Sequence, residues 1–226
     1  MHTMEDKVMK SLRTCPLFAG MSDVEIELTL DNVPHQLVSL PAHEVYALAG
    51  MPCRHVDIVV SGFLICRMAA LSGKQVEVSR LRSGNLVAPA FVFSKDRSLP
   101  VSVETDGKVD LFRMQPEALK TLMDTDETIR MNFIRILSNI DVFLTHKMKI
   151  LSLFTVREKV AYLLLERAGE QGCDEIHLER SRQEIADSFG IQKFSLLRVL
   201  SDLEKEGVIE IKGKNIKILD RHKLSR

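Results

Sequence analysis

Within residues 181–209, Gln192, Lys193, Ser195, Arg198, Ser201 and Asp202 gather hydrogen-bonding heads around the start of one candidate helix, with little bulk at Ser195. Amide, ammonium, hydroxyl and guanidinium groups can meet a polar surface directly. A helix that carries them outward fits a DNA major groove, where base edges present donors and acceptors. Farther along, the basic Lys212, Lys214 and Lys217 lie where a second element could meet phosphates. An ordinary helical hairpin followed by a solvated lysine-rich turn is the competing reading of the same residues.

The elements that would position these groups are legible around Gly190. A glycine inside a helix costs about 1 kcal/mol against alanine, so Gly190 is expected to end one helix and turn the chain into another. Ser181 with Glu184 three residues on is a capping box, which starts the first helix, about Arg182 to Ser188. Ile185, Ala186 and Phe189 then share one face, and Ile191, Leu196, Val199, Leu200 and Leu203 supply the stripe that packs against it. The following "GVIEIKGKNIKIL" alternates apolar Ile209 and Ile211, turns at Gly213 to Asn215, and alternates again at Ile216 and Ile218. A hairpin after a two-helix corner makes a winged helix-turn-helix.

The whole chain has 226 residues, 45% of them apolar, enough for one or two domains with real cores. Its formal net charge is zero, so any nucleic-acid contact must come from a local patch. From Lys193 onward there are nine Lys or Arg against five Asp or Glu, an excess of four. No apolar run approaches the roughly 20 residues that span a bilayer, and "MHTMEDKVMKSLRTC" lacks the apolar core of a signal peptide. The expectation is a cytoplasmic protein without a membrane partner. Cys15, Cys53, Cys66 and Cys173 are scattered, with no C-x-x-C pair, and only Cys53 and His55 lie close, so no metal is expected. With no nucleophile motif, phosphate-cradling glycine loop or paired carboxylates in a recognisable setting, no enzyme is expected either.

Toward the N-terminus, Ser22 with Glu25 caps a short helix. Gly50, Gly62, Gly73 and Gly84 then recur at spacings of 12, 11 and 11 between apolar runs, a pattern of turns between antiparallel strands. Val76 and Val78, alternating with Glu77 and Ser79, fit one such strand. Residues 35–114 are expected to form a β-sandwich or jelly roll. A long helical segment follows, about 115–151, with Ile129, Phe133, Ile136, Ile140 and Phe143 spaced alternately four and three, a seam that buries against a second helix. Ile134, Leu137, Leu144 and Met148 widen the stripe, so that the sheet on one side and a dimer mate on the other are both open as partners, and Lys147 interrupts the seam near its end. The fold class is α+β: an N-terminal sensor-like region (1–114), a long helix for dimerisation (115–152) and a winged helix-turn-helix (153–226).

In this order the chain resembles the Crp/Fnr family of bacterial transcription regulators. "SRQEIADSFGIQKFSLLRVLSDLEKEGVI" looks like the family's helix-turn-helix signature, "PLFAGMSDVEIELTL" its N-terminal helix, and "HVDIVVSGFLI" its central strand pair around a glycine. The resemblance implies a cyclic-nucleotide-binding-like β-roll that senses a small-molecule effector. It also implies a homodimer on a palindromic double-stranded DNA operator, and contact with RNA polymerase. It puts Lys193 where the family has a basic contact residue and Arg198 on the arginine that reads guanine, while Phe194 departs from a usual glutamate and can instead touch a thymine methyl. The implied DNA-facing set is Arg182, Gln192, Lys193, Phe194, Ser195 and Arg198, with Lys212 and Lys214 from the wing. In "GNLVAPAFVFSKDRSLPV", Arg97 and Ser98 match the pair that binds a cyclic nucleotide's phosphate. Ala88 and Pro89, however, replace the Gly-Glu pair, and proline offers neither a carboxylate nor an amide donor, which argues against cyclic AMP. The cluster-binding branch of the family needs several N-terminal cysteines, and only Cys15 lies there. A ligand-binding module whose C-terminal helices contact protein rather than DNA is the alternative.

Overall fold

Three Ser/Thr-x-x-Glu boxes start three helices, because in each the hydroxyl accepts an orphan amide of the first turn and the carboxylate reaches back to the cap. They are Ser22 before α2 (Asp23–Leu30), Thr155 before α5 (Val156–Gln171) and Ser181 before α6 (Arg182–Ser188). The computed structural model describes residues 6–69 and 75–225; Gly73 lies outside them. Two compact units divide at position 142/143, inside α4 (Glu127–Leu153). Among the described residues, no helix is long and apolar enough to cross a membrane.

The first unit holds α1 (Asp6–Thr14), α2, five strands and α3 (Pro116–Thr125). The strands are β1 (His35–Leu40), β2 (Val45–Ala47), β3 (Val56–Ala69), β4 (Gln75–Leu81) and β5 (Ser102–Met114). They make one antiparallel sheet in the order β1-β5-β3-β4, with β2 also on β5. Residues 56–60 of β3 are buried without alternation, so this stretch carries core on both faces. Ile58 and Val60 join Phe112 and Met114 in one cluster, while Val59 joins Val109 and Leu111 in another.

Gly62 corrects the expectation of a turn at every spaced glycine. β3 runs straight through it as one strand, and its pairing with β5 shifts register on either side, between Val59 and Ser61 and between Ser61 and Phe63. Gly62 has φ 78, and a Cβ there would stand 2.3 Å from the Lys108 carbonyl oxygen. The glycine permits a bulge and a close backbone approach. The helical segment after the sheet is likewise two helices. Asp126, in extended conformation, separates α3 from α4, and its Oδ1 accepts the Ile129 amide.

The seam along α4 is used within the chain at its start. Ile129 and Phe133 are buried in the first unit's core, Ile136 packs against it, and Phe93 meets Phe133 edge-on at 5.8 Å. Ile129 and Phe133 are thus covered by the chain's own core, whereas Ile136 is only partly buried against it. The helix leaves Ile134, Val142, Phe143, Leu144, Met148 and Leu151 exposed instead. Phe143 is the expected seam residue that remains open, at 62% exposure, and Ile140 is half-buried.

Asp57, fully buried, locks the first unit's sheet. Its carboxylate accepts Arg113 Nε at 2.8 Å and Nη2 at 2.6 Å, and the Tyr46 hydroxyl at 2.9 Å. Burial, and then the carboxylate, push the Tyr46 phenol far above its ordinary pKa. Removing one member of such a pair strands the other in low dielectric. Asp57→Ala is expected to lower stability by about 3–5 kcal/mol, read as a loss in the urea midpoint of the first unit's transition with the slope retained.

Candidate nucleic-acid interface

In the second unit, α5, α6 and α7 (Lys193–Lys205) pack around Val160, Leu164, Ile185, Ala186, Phe189, Leu196, Leu200 and Leu203. β7 (Ile209–Lys212) and β8 (Asn215–Ile218) form the expected hairpin, and β6 (Glu175–His177) adds a third strand on β8. A short α8 (Arg221–Leu224) closes the chain.

Gly190 answers for the corner. The Gly190 amide donates to Asp187 O at 3.1 Å and the Ile191 amide to Ala186 O at 3.0 Å, the two bonds of a Schellman turn with glycine at its left-handed position, φ 62. The Phe189 carbonyl at this corner is satisfied by the ammonium of Lys159, buried in α5, at 3.4 Å; the same ammonium donates to the Leu151 carbonyl in the last turn of α4 at 3.0 Å. Lys147, whose charge broke the apolar seam of α4, stands 5.3 Å from the Phe189 ring centre.

α7 buries Leu196, Leu200 and Leu203, which turns Phe194, Arg198, Ser201 and Lys205 to the opposite side, four, three and four residues apart. Gln192, Lys193, Phe194 and Arg198 are exposed, and Ser195 is half-buried. Among the described residues, no hydrogen bond or ion pair engages Lys193 or Arg198. Gln192 is the N-cap and its side chain makes no capping bond, so the first-turn amides of α7 face outward with the positive end of the helix dipole.

The basic residues around the wing are used differently. Arg182 Nη2 donates to the Gly213 carbonyl of the hairpin turn at 2.9 Å, and burial lowers its pKa from the ordinary arginine value. Arg182 thus ties α6 to the wing. Lys214 Nζ donates to the Glu179 carbonyl at 3.0 Å. Lys212 pairs with Glu210 at 2.8 Å, which raises the lysine and lowers the glutamate. Both lysines stay exposed, so these contacts can exchange for phosphate oxygens at small cost.

In the first unit, Arg97 and Ser98 are exposed on the loop before β5. The Arg97 carbonyl accepts the Cys53 amide at 2.8 Å, and the Ser98 amide donates to Asp96 Oδ1 at 2.9 Å, holding Asp96 below the usual carboxylate range. Ala88 adopts the left-handed conformation, φ 48, at the start of a single helical turn, Pro89–Phe91. A side chain strains that conformation, and Pro89 presents no N–H there.

A five-stranded antiparallel sheet with flanking helices, followed by a capped winged helix-turn-helix, defines the class: the fold of the Crp/Fnr transcription regulators. Residues 158–226 match the Crp-like helix-turn-helix domain. The chain is 30% identical over 112 residues to Electron transport regulator A of Shewanella oneidensis, a stretch that covers 47% of this chain and 45% of that protein; the match spans less than half the length of that relative. FixK2 from Bradyrhizobium japonicum superposes with a TM-score of 0.61 at 19% identity, covering 85% of this chain and 96% of that one. A structure from Eubacterium rectale assigned to the Crp/Fnr family gives 0.60 at 20% identity, covering 94% and 97%. At these identities the likeness to the solved structures is one of fold.

Sequence reading missed α5, although Thr155 and Glu158 carry the same cap signature as Ser181 and Glu184. It also missed Lys159, for which no local pattern exists. Gly190→Ala tests the corner. Nothing lies within 4 Å of a Cβ at this position, so the cost is backbone strain alone, about 1–2 kcal/mol. A thermal melt of the C-terminal unit should fall accordingly while the folded spectrum is retained.

Proposed function

We propose that this chain is a sequence-specific DNA-binding transcription regulator of the Crp/Fnr type and not an enzyme. The observation that carries the reading is Arg198: an exposed guanidinium, unengaged by any described residue, on the outward face of the second helix of the corner. A planar fork of donors there can make the bidentate pair to guanine O6 and N7. Lys193, the open amides of the first turn of α7, and Lys212 and Lys214 on the wing supply the phosphate contacts that fix register. Arg182 acts by holding the wing turn.

Two copies pair along the apolar residues that α4 leaves exposed, chiefly Phe143, Leu144, Met148 and Leu151. Pairing sets two recognition helices in successive major grooves about 34 Å apart, so the operator is an imperfect palindrome. The N-terminal sheet domain receives the signal, a small-molecule effector, and shifts the helix pair between arrangements that do or do not fit that spacing. The strained Ala88 and the amide-less Pro89 disfavour a cyclic nucleotide as that effector. The protein works in the cytoplasm with RNA polymerase at promoters.

The test is selection of genomic fragments by the purified protein, with bound DNA sequenced. The expected outcome is a palindrome whose enrichment Arg198→Ala abolishes, at a cost of about 1–3 kcal/mol in discrimination. Lys193→Ala should weaken all sequences alike and reduce the salt slope by about 1. Binding that Arg198→Ala leaves unchanged contradicts the reading.

A further inference from the structure

The second unit holds a cavity of about 250 Å³ between α5 and the segment that runs from β6 into α6. Its floor is apolar, with Leu163, Leu178 and Ile185 buried there. Two of its polar groups are already engaged. Arg167 pairs with Glu170, and the Gln171 amide donates to the His177 carbonyl and accepts the His177 N–H, each at 2.9 Å. Glu179 and Arg180 line the same cavity from its exposed rim, and among the described residues neither side chain makes a hydrogen bond or ion pair.

One open carboxylate, one open guanidinium and an apolar floor fit a ligand that carries both charges and a hydrocarbon body. A simple anion would satisfy Arg180 but set like charge beside Glu179, and a simple amine would meet the reverse conflict. An α-amino acid with an apolar side chain uses all three features. Its carboxylate can take the Arg180 fork in a bidentate pair, its ammonium can meet Glu179, and its side chain can cover Leu163, Leu178 and Ile185. The volume lies just below the usual range of small-molecule sites, about 300–1,000 Å³, so the occupant is small. We propose that this cavity binds an apolar α-amino acid and that the wing responds to its occupancy. Three bonds tie the lining segment to the hairpin turn: the Leu178 amide donates to the Lys214 carbonyl at 2.9 Å, Lys214 Nζ to the Glu179 carbonyl at 3.0 Å, and the His177 ring to Asn215 Oδ1 at 2.6 Å. A ligand that prefers one placement of residues 177–180 thereby biases the placement of Lys212 and Lys214.

The response of DNA affinity rests on the DNA-binding reading, whereas occupancy of the cavity does not, and the two are measured separately. First, the full chain without DNA is titrated by calorimetry with L-leucine, L-valine and L-phenylalanine. At least one should saturate at one molecule per chain. For the tightest of them, the analogue without the ammonium and the analogue without the carboxylate should each bind about ten-fold more weakly or worse, the worth of a charge-assisted hydrogen bond. Glu179→Gln and Arg180→Gln should lose affinity to the same degree with an unchanged melting temperature, because both side chains are exposed. Absence of saturable binding by all three, or binding that both variants retain, overturns the site; equal binding of the analogue without the ammonium overturns the ligand class. Second, the saturating amino acid should change affinity for the selected operator by about five-fold or more. Glu179→Gln should bind that operator as the wild type does without the amino acid, since its backbone carbonyl still serves Lys214, and should not respond to the amino acid. Equal operator affinity with the cavity filled overturns the link to the wing and leaves the site standing. Recovery of no shared DNA sequence overturns that link together with the DNA-binding reading, and again leaves the site standing.

Discussion

The left-handed turn at Gly190 is the constraint on which the rest of the C-terminal unit depends. Two backbone bonds, to Asp187 and Ala186, leave one direction for the chain after α6. That direction brings the apolar stripe of α7 onto Ile185, Ala186 and Phe189, and everything opposite that stripe is turned to solvent. The polar and cationic groups of the α7 face are therefore outward as a geometric consequence of the corner. Lys159 reinforces it at the carbonyl side. One ammonium serves the end of α6 and the last turn of α4, two carbonyls that helix termini would otherwise leave without a partner. The last turn of α4 and the corner are thereby joined through a single buried charge, whose loss would leave both carbonyls unpaired.

The distribution of pairing among the basic residues divides positioning from contact. Around the wing, Arg182, Lys212 and Lys214 are each engaged, by a turn carbonyl, a glutamate and a loop carbonyl. On α7, Lys193 and Arg198 are engaged by no described residue. A protein of zero net charge has no long-range field to draw DNA in, so its selectivity must come from short-range groups already presented. The planar fork of a guanidinium is pre-organised, so Arg198 loses less freedom per hydrogen bond formed than a lysine would, which favours a specific bidentate contact over a diffuse one.

Legibility in the sequence followed the locality of the signal. The Ser181 box, the Gly190 corner and the alternation of Ile209 to Ile218 are set within a few residues, and α6, α7 and the hairpin appear where those signals put them. Thr155 and Glu158 held equally local information for α5. Gly62 shows the limit: a glycine between apolar runs signals either a turn or a bulge, and only the Lys108 carbonyl from a neighbouring strand decides between them. The seam on α4 shows it again, because spacing fixes which residues share a face without naming what covers it; Ile129 and Phe133 meet the chain's own core. Arg182 stands in the DNA-facing set that the resemblance implies, and its bond to a hairpin carbonyl 31 residues away has no local signal in the sequence. Arg198 and Phe194 needed no distant partner to be noticed, and both are exposed as their helix position requires.

The central claim is that Arg198 holds guanine from the major groove. Dimethyl sulfate methylates guanine N7, the acceptor this contact covers, so methylation protection on the selected operator tests it directly. The account predicts protection of one guanine in each half-site, with half-site centres about 10–10.5 base pairs apart, and full reactivity of both with the Arg198→Ala protein bound at higher concentration. Guanines that stay reactive beneath the bound wild-type protein would contradict it.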